Sequence, residues 1–229
     1  MRATYFYLRV GLITIALSLP IVLLIGGHVR EGLSLRDSMS AYYHTSMRDI
    51  FVGALSASGV ALYLYKGFRR LENILLNFAG GFLVLVAFLP TNCGDGTQCG
   101  RFTAASPHKL SAFLFFICIG FVCLLCASET LTLTPESKRA RYRVAYGSIG
   151  VLLFVLPISA ALLAWQAKHG TVLFWLEASG VWVFSLYWLV KSYELWRTQA
   201  EKRALYGTFA RTERAVAEGA PPESVATGS

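Results

Sequence analysis

The sequence predicts an all-α polytopic membrane protein of six transmembrane helices, with both termini cytoplasmic and a short cytoplasmic helix after the last span. Three observations carry that expectation. Six apolar stretches, near residues 10–27, 50–65, 74–90, 110–128, 144–165 and 171–190, each approach the roughly 20 residues that cross a hydrocarbon core as a helix. The 229-residue chain is 55% hydrophobic, with a mean hydropathy of +0.52, which is enough apolar material for all six. Its Lys and Arg residues, finally, alternate between crowded and sparse connections.

The crowded side holds Arg2, Arg9, Lys66, Arg69, Arg70, Lys138, Arg139, Arg141, Arg143, Lys191, Arg197, Lys202, Arg203, Arg211 and Arg214. These are fifteen of the 21 cations; Arg30, Arg36, Arg48, Arg101, Lys109 and Lys168 fall on the other side. The positive-inside rule then places both termini in the cytoplasm of a cell-membrane protein. A formal charge of +8 needs no nucleic acid to explain it, because basic cytoplasmic loops meet an anionic inner leaflet. Membrane lipids are the expected partners.

The first stretch follows Arg2 and Arg9 as a signal peptide would, but its apolar run is long and no small-x-small cleavage site follows, so it reads as a retained helix. One transmembrane domain, residues 1–192, is expected. Residues 193–229 read as a basic cytoplasmic helix with Trp196, Leu205, Tyr206 and Phe209 among alternating charges, then a disordered tail around Pro221 and Pro222.

Cys93 and Cys99 flank Gly94-Asp-Gly-Thr97 in a connection that the charge count puts outside, where a disulfide persists. Cys118, Cys123 and Cys126 fall within the fourth span and read as buried thiols. Gly53, Ser56 and Gly59 form a small-residue seam for close helix packing, and Gly80 and Gly81 suggest another. Asn73 and Asn77 are expected to hydrogen-bond to neighbouring helices, and Pro20 and Pro157 to kink theirs.

Candidate chemistry gathers at the outer ends of the spans, where His28, His44, His108 and His169 all fall. The densest cluster runs from Asp37 to Asp49. A helix starting near Ser38 or Ser40 would stack Ser40, His44 and Arg48 on one face, with Thr45 and Asp49 beside them. Arg48 can clamp an anionic or polar head group, with His44 and Asp49 completing a ligand-binding set. The bland alternative is an interfacial helix start, in which a serine caps free amides, Tyr42 and Tyr43 join an aromatic belt, and Arg48 and Asp49 neutralise each other. Glu177, without an adjacent cation in sequence, is the most anomalous intramembrane charge; it reads as protonated or bonded to a partner helix, with a proton or cation pathway as the alternative.

The run Ser38 to Gly53, with Tyr65-Lys-Gly-Phe68, Asn77-Phe-Ala-Gly80, Ala87-Phe-Leu-Pro-Thr91 and His108, resembles an uncharacterised family of bacterial multi-span integral membrane proteins. That resemblance implies a topology and no activity. A more distant, partial likeness is to the alkaline ceramidase and adiponectin-receptor superfamily of seven-span zinc hydrolases. It rests on Ser40 and His44, which match that group's Ser-x-x-x-His pattern. The chain departs from the group in the close spacing of His44 and Asp49, in its six spans, and in the lack of histidine in the sixth.

The leading expectation is therefore a membrane protein of unassigned activity whose outward-facing polar pocket binds a lipid head group or small polar ligand through Arg48, His44 and Asp49. The alternative is a metal-dependent membrane hydrolase of lipid amides, with Ser40, His44, Asp49 and His108 as catalytic candidates and His44 and His108 as zinc ligands. A transporter is the third reading.

Overall fold

A computed structural model describes residues 2–89, 106–126, 136–165 and 170–198. Helices dominate, and no strand occurs among the described residues. We number them α1 (Arg2–Glu31), α2 (Arg48–Leu64), α3 (Arg70–Phe88), α4 (Pro107–Phe121), α5 (Glu136–Trp165) and α6 (Val172–Thr198). A 3₁₀ turn, Ser40–His44, precedes α2, and a π-helical turn, Val122–Cys126, extends α4.

Five helices, α1 and α3 to α6, are long and apolar enough to cross a membrane. The remaining one, α2, has 17 residues, and at about 1.5 Å per residue it reaches roughly 25 Å. Several elements overrun the apolar stretches that announced them. α1 starts at Arg2, α5 starts at Glu136, and α6 continues through Lys191 to Thr198. Residues 193–198 thus prolong the last span, and the rest of the expected cytoplasmic helix and tail lies outside the described residues. Polar residues extend these helices because a helix satisfies its own backbone at any depth, whereas hydropathy marks only its apolar middle.

Local chemistry sets the ends. Gly32, at φ +63°, closes α1 in a left-handed cap, its N–H donating to the His28 carbonyl at 2.8 Å. Pro107 opens α4 where its missing N–H costs nothing. Before α3, the Gly67 N–H donates to Asn73 Oδ1 at 2.6 Å and the Phe68 N–H to Glu72 Oε2 at 2.8 Å. Asn73 therefore serves the turn before its own helix instead of the neighbouring helix expected for it, and Asn77 is exposed.

Each helix packs against its neighbours in the chain, and α6 returns to α1, so the six close into a ring. α2 and α3 approach most intimately where Gly59 faces Gly80. A Cβ on Gly80 would lie 2.5 Å from the Gly59 carbonyl oxygen, and one on Gly59 would lie 2.8 Å from that of Gly80. Gly53 and Gly81 have open space instead, so the seam narrows to this one pair. Pro20 and Pro157 sit inside continuous helices.

The ring has two distinct ends. Arg9, Tyr65, Phe68, Tyr146, Lys191 and Glu194 meet at one, which we call the basic end. Residues 37–48 and the starts of α4 and α6 meet at the other. Between them the interior is filled by Phe115, Ile119, Leu62, Leu83, Phe184 and Trp188.

Candidate functional site

Opposite the basic end, α2 to α6 surround a cavity of about 160 Å³. Leu55, Leu83, Phe115, Phe116, Leu156 and Leu173 contribute apolar wall, while Ser38, Ser40, His108, Lys109 and Glu177 supply the polar lining. Lys109 and Glu177 are the two charged side chains lining it, and they attract each other.

The loop before α2 forms part of that lining because it is stitched to α6. The Phe174 N–H donates to the Asp37 carbonyl at 3.0 Å, and the Met39 N–H donates to Glu177 Oε2 at 2.7 Å. Glu177 thereby supplies an anionic acceptor just ahead of the 3₁₀ turn, where backbone N–H groups need partners. Ser38 adds a second cap, its Oγ accepting the Ala41 N–H at 3.1 Å and lying 3.2 Å from Ser40 Oγ. His108, 3% exposed, is fixed by a 2.7 Å hydrogen bond from Nδ1 to the Leu89 carbonyl.

The conformation of residues 38–49 differs from the single helix expected there. Thr45 is extended, at φ −126° and ψ 175°, and it separates the turn from α2. Its hydroxyl donates to the Tyr42 carbonyl at 2.8 Å and accepts the Met47 N–H at 3.1 Å, so local side-chain bonding competes with helix continuation. Ser40, His44 and Arg48 consequently do not share one helical stripe. Tyr42 and Tyr43 are not belt residues either: both are buried, and the Tyr42 ring packs 6.0 Å from that of Phe174.

Ser40 and His108 thus line the same cavity as Glu177, whereas His44, Arg48 and Asp49 are exposed and are not among its lining residues. Arg48 turns onto Tyr43, with Nη2 donating to the phenol oxygen at 2.8 Å and the guanidinium 4.5 Å from the ring centroid. The His44 ring meets the same tyrosine edge-on at 5.3 Å. Among the described residues no three of His, Cys, Asp or Glu form a group that could hold a metal ion, so the zinc set of His44, His108 and a carboxylate does not assemble there. Cys93 and Cys99 lie outside the described residues, while Cys118, Cys123 and Cys126 are buried.

Two features escaped the sequence reading. Lys109, counted only as an outer cation, faces the Glu177 that looked uncompensated; its place directly after Pro107-His108, at a helix start, was the available signal. Arg9, Glu72, Lys191 and Glu194 are all buried at the basic end, and the three-residue spacing of Lys191 and Glu194 beside Tyr187-Trp188 was the signal for them.

Comparison with family models, with curated proteins and with solved structures returns no match. The functional reading therefore rests on the geometry of this chain.

Proposed function

We propose that the chain is a six-span protein of the cytoplasmic membrane, with both termini in the cytoplasm, whose outward-facing cavity binds a lipid or small polar amphiphile. The cavity carries the reading: an apolar chamber among membrane-crossing helices, with Ser40, His108, Lys109 and Glu177 as its convergent polar groups. Ligand sites combine these features, with apolar walls supplying affinity and a few placed polar groups fixing orientation. Because Lys109 and Glu177 offset each other, the cavity suits a head without net charge, bonded through hydroxyl, amide or carbonyl groups. A chamber of about 160 Å³ takes a ring or a short stretch of chain, so the remainder of a longer tail stays in the bilayer.

The length of α2 falls within the range of tilted or short spans, which supports the count of six. The concentration of Lys and Arg at the basic end supports the orientation. Arg48, His44 and Asp49 form the second part of the proposal. On the exposed surface at the cavity end, Arg48 and His44 held on Tyr43 meet head groups at the membrane face. The general likeness to uncharacterised bacterial multi-span proteins is compatible with this reading.

Native mass spectrometry of protein extracted in mild detergent tests it. The wild type is expected to retain a molecule of constant mass, and Ala112→Trp, which fills the cavity from α4, is expected to lose it. Equal retention by a folded A112W variant, or no retained molecule together with no thermal shift on adding lipid, contradicts the reading.

A further inference from the structure

The last turns of α6 carry an exposed group that neither the cavity nor the buried residues of the basic end account for. Tyr193 is 48% exposed and Trp196 69%, and Arg197 beside them is exposed as well. Aromatic side chains normally bury most of their area, so two of them left open on a membrane-crossing helix face lipid or a partner. They also continue a stripe, because Leu186, Leu189, Tyr193 and Trp196 recur at helical spacing and are all exposed. Along its length this face turns from aliphatic to aromatic to basic, the order in which a bilayer leaflet passes from acyl chain to boundary to head group. The depth agrees: α6 has 27 residues, about 40 Å at 1.5 Å per residue, so beyond a hydrocarbon core of about 30 Å its last turn reaches the head-group layer.

Three contacts hold the arginine in place. Its Nε donates to the Tyr193 hydroxyl at 3.1 Å, and its guanidinium carbon lies 5.4 Å from the Tyr193 ring centroid and 5.9 Å from that of Trp196. The two rings are themselves 6.3 Å apart. An exposed arginine ordinarily samples many rotamers, and packing on two rings removes part of that freedom before any ligand arrives. With Nε turned to the tyrosine, the two terminal nitrogens form the fork that grips a phosphate through paired hydrogen bonds. Glu194, the neighbouring carboxylate, is buried away from the stripe, where it accepts the Tyr146 hydroxyl. From α5, Tyr142 lies within reach of the Arg197 charge, and Lys138, Arg141 and Arg143 of the same helix start are exposed.

We propose that Tyr193, Trp196 and Arg197 form a docking site for an anionic phospholipid. Its phosphate sits on the Arg197 fork, its glycerol region lies against the two rings, and an acyl chain follows Leu189 and Leu186. Every phospholipid offers the phosphate, and net charge decides among them: a zwitterionic head brings an ammonium to a helix end already rich in cations, whereas an anionic head does not. The site is separate from the cavity and from Arg48, both of which belong to the opposite end of the ring. Under the proposed orientation it faces the cytoplasmic leaflet, where anionic lipids are concentrated.

Native mass spectrometry of the full chain, delipidated in detergent and offered equal amounts of phosphatidylglycerol and phosphatidylethanolamine, tests this. The first lipid bound by the wild type is expected to be mainly phosphatidylglycerol, and Arg197→Gln is expected to lower that preference about fivefold. Lys138→Gln removes an exposed cation from the start of α5 and leaves the stacked arginine alone, so its preference is expected to stay within about twofold of wild type. These side chains are exposed, and the variants are expected to melt with the wild type. Excess inorganic phosphate is expected to leave the lipid bound, because it offers no chain to the leucine stripe. A wild type without preference overturns the proposal, as does an unchanged preference in R197Q. An equal fall in K138Q and R197Q overturns it in favour of diffuse charge, and displacement of the lipid by phosphate overturns it in favour of a soluble anion.

Discussion

Glu177 Oε2 accepts the Met39 N–H at 2.7 Å, joining α6 to the loop that precedes α2. One side chain thereby ends the 3₁₀ segment's demand for an acceptor, answers the Lys109 charge and forms part of the cavity lining. Glu177→Gln and Glu177→Leu both take the carboxylate from Lys109, but only the glutamine keeps an acceptor for the Met39 N–H. E177L is expected to lose about 2 kcal/mol of stability and E177Q distinctly less. Thermal denaturation in detergent checks the order, and equal losses would show that the hydrogen bond is not what holds the loop.

The Gly59–Gly80 crossing allows a sharper packing test. Gly80→Val places side-chain atoms against the Gly59 backbone, which cannot yield as a flexible side chain would. We expect a loss of about 2 kcal/mol or more, or failure to accumulate in the membrane. Gly81→Ala, with open space around it, serves as the control and is expected to be silent. The melting temperatures of the two variants, compared with wild type, separate a packed crossing from general intolerance of larger residues.

These two relationships show how differently fold and site are written in the chain. Hydropathy is a property of each stretch by itself, and it pointed to each of the six described α-helices, five of them long and apolar enough to cross a membrane. The small residues of α2 and α3 pointed to close helix contacts without naming the partner, and of their glycines Gly59 and Gly80 are the pair that meets. The site depends on what the ring brings together. Glu177 looked isolated because its Met39 partner is 138 positions away and Lys109 belongs to another helix. Arg48 and His44 looked like inward ligands because a continuous helix was assumed through Thr45, where local hydroxyl bonding breaks it. At the basic end, Arg9 and Lys191 were legible as topology signals, yet their burial follows from α6 closing against α1.

The proposed orientation has its own test. Alkaline phosphatase is active only outside the cytoplasm, so a fusion after Ser46 is expected to be active and one after Thr198 inactive. A green fluorescent protein at the second position is expected to fluoresce. The opposite pattern would invert the protein and turn the cavity to the cytoplasm.

Arg48 and the cavity are expected to separate experimentally. Arg48→Ala removes a surface cation together with its contact to Tyr43, without entering the chamber. Binding of anionic-lipid nanodiscs is expected to weaken about fivefold, a change of about 1 kcal/mol, with little change for zwitterionic lipid. The molecule retained in the cavity is expected to remain. Loss of that molecule in R48A would place Arg48 within the same binding site.

Photo-crosslinking in native membranes addresses cavity binding most directly, using a neutral-headed amphiphile with a diazirine near its head and peptide mapping of the products. Adducts are expected on residues 112–116 of α4 and 173–181 of α6, and they should disappear in Ala112→Trp. Adducts confined to outward-facing residues such as Phe78, Val151 and Leu186, unchanged by A112W, would mean that the lipid only surrounds the ring and does not enter it.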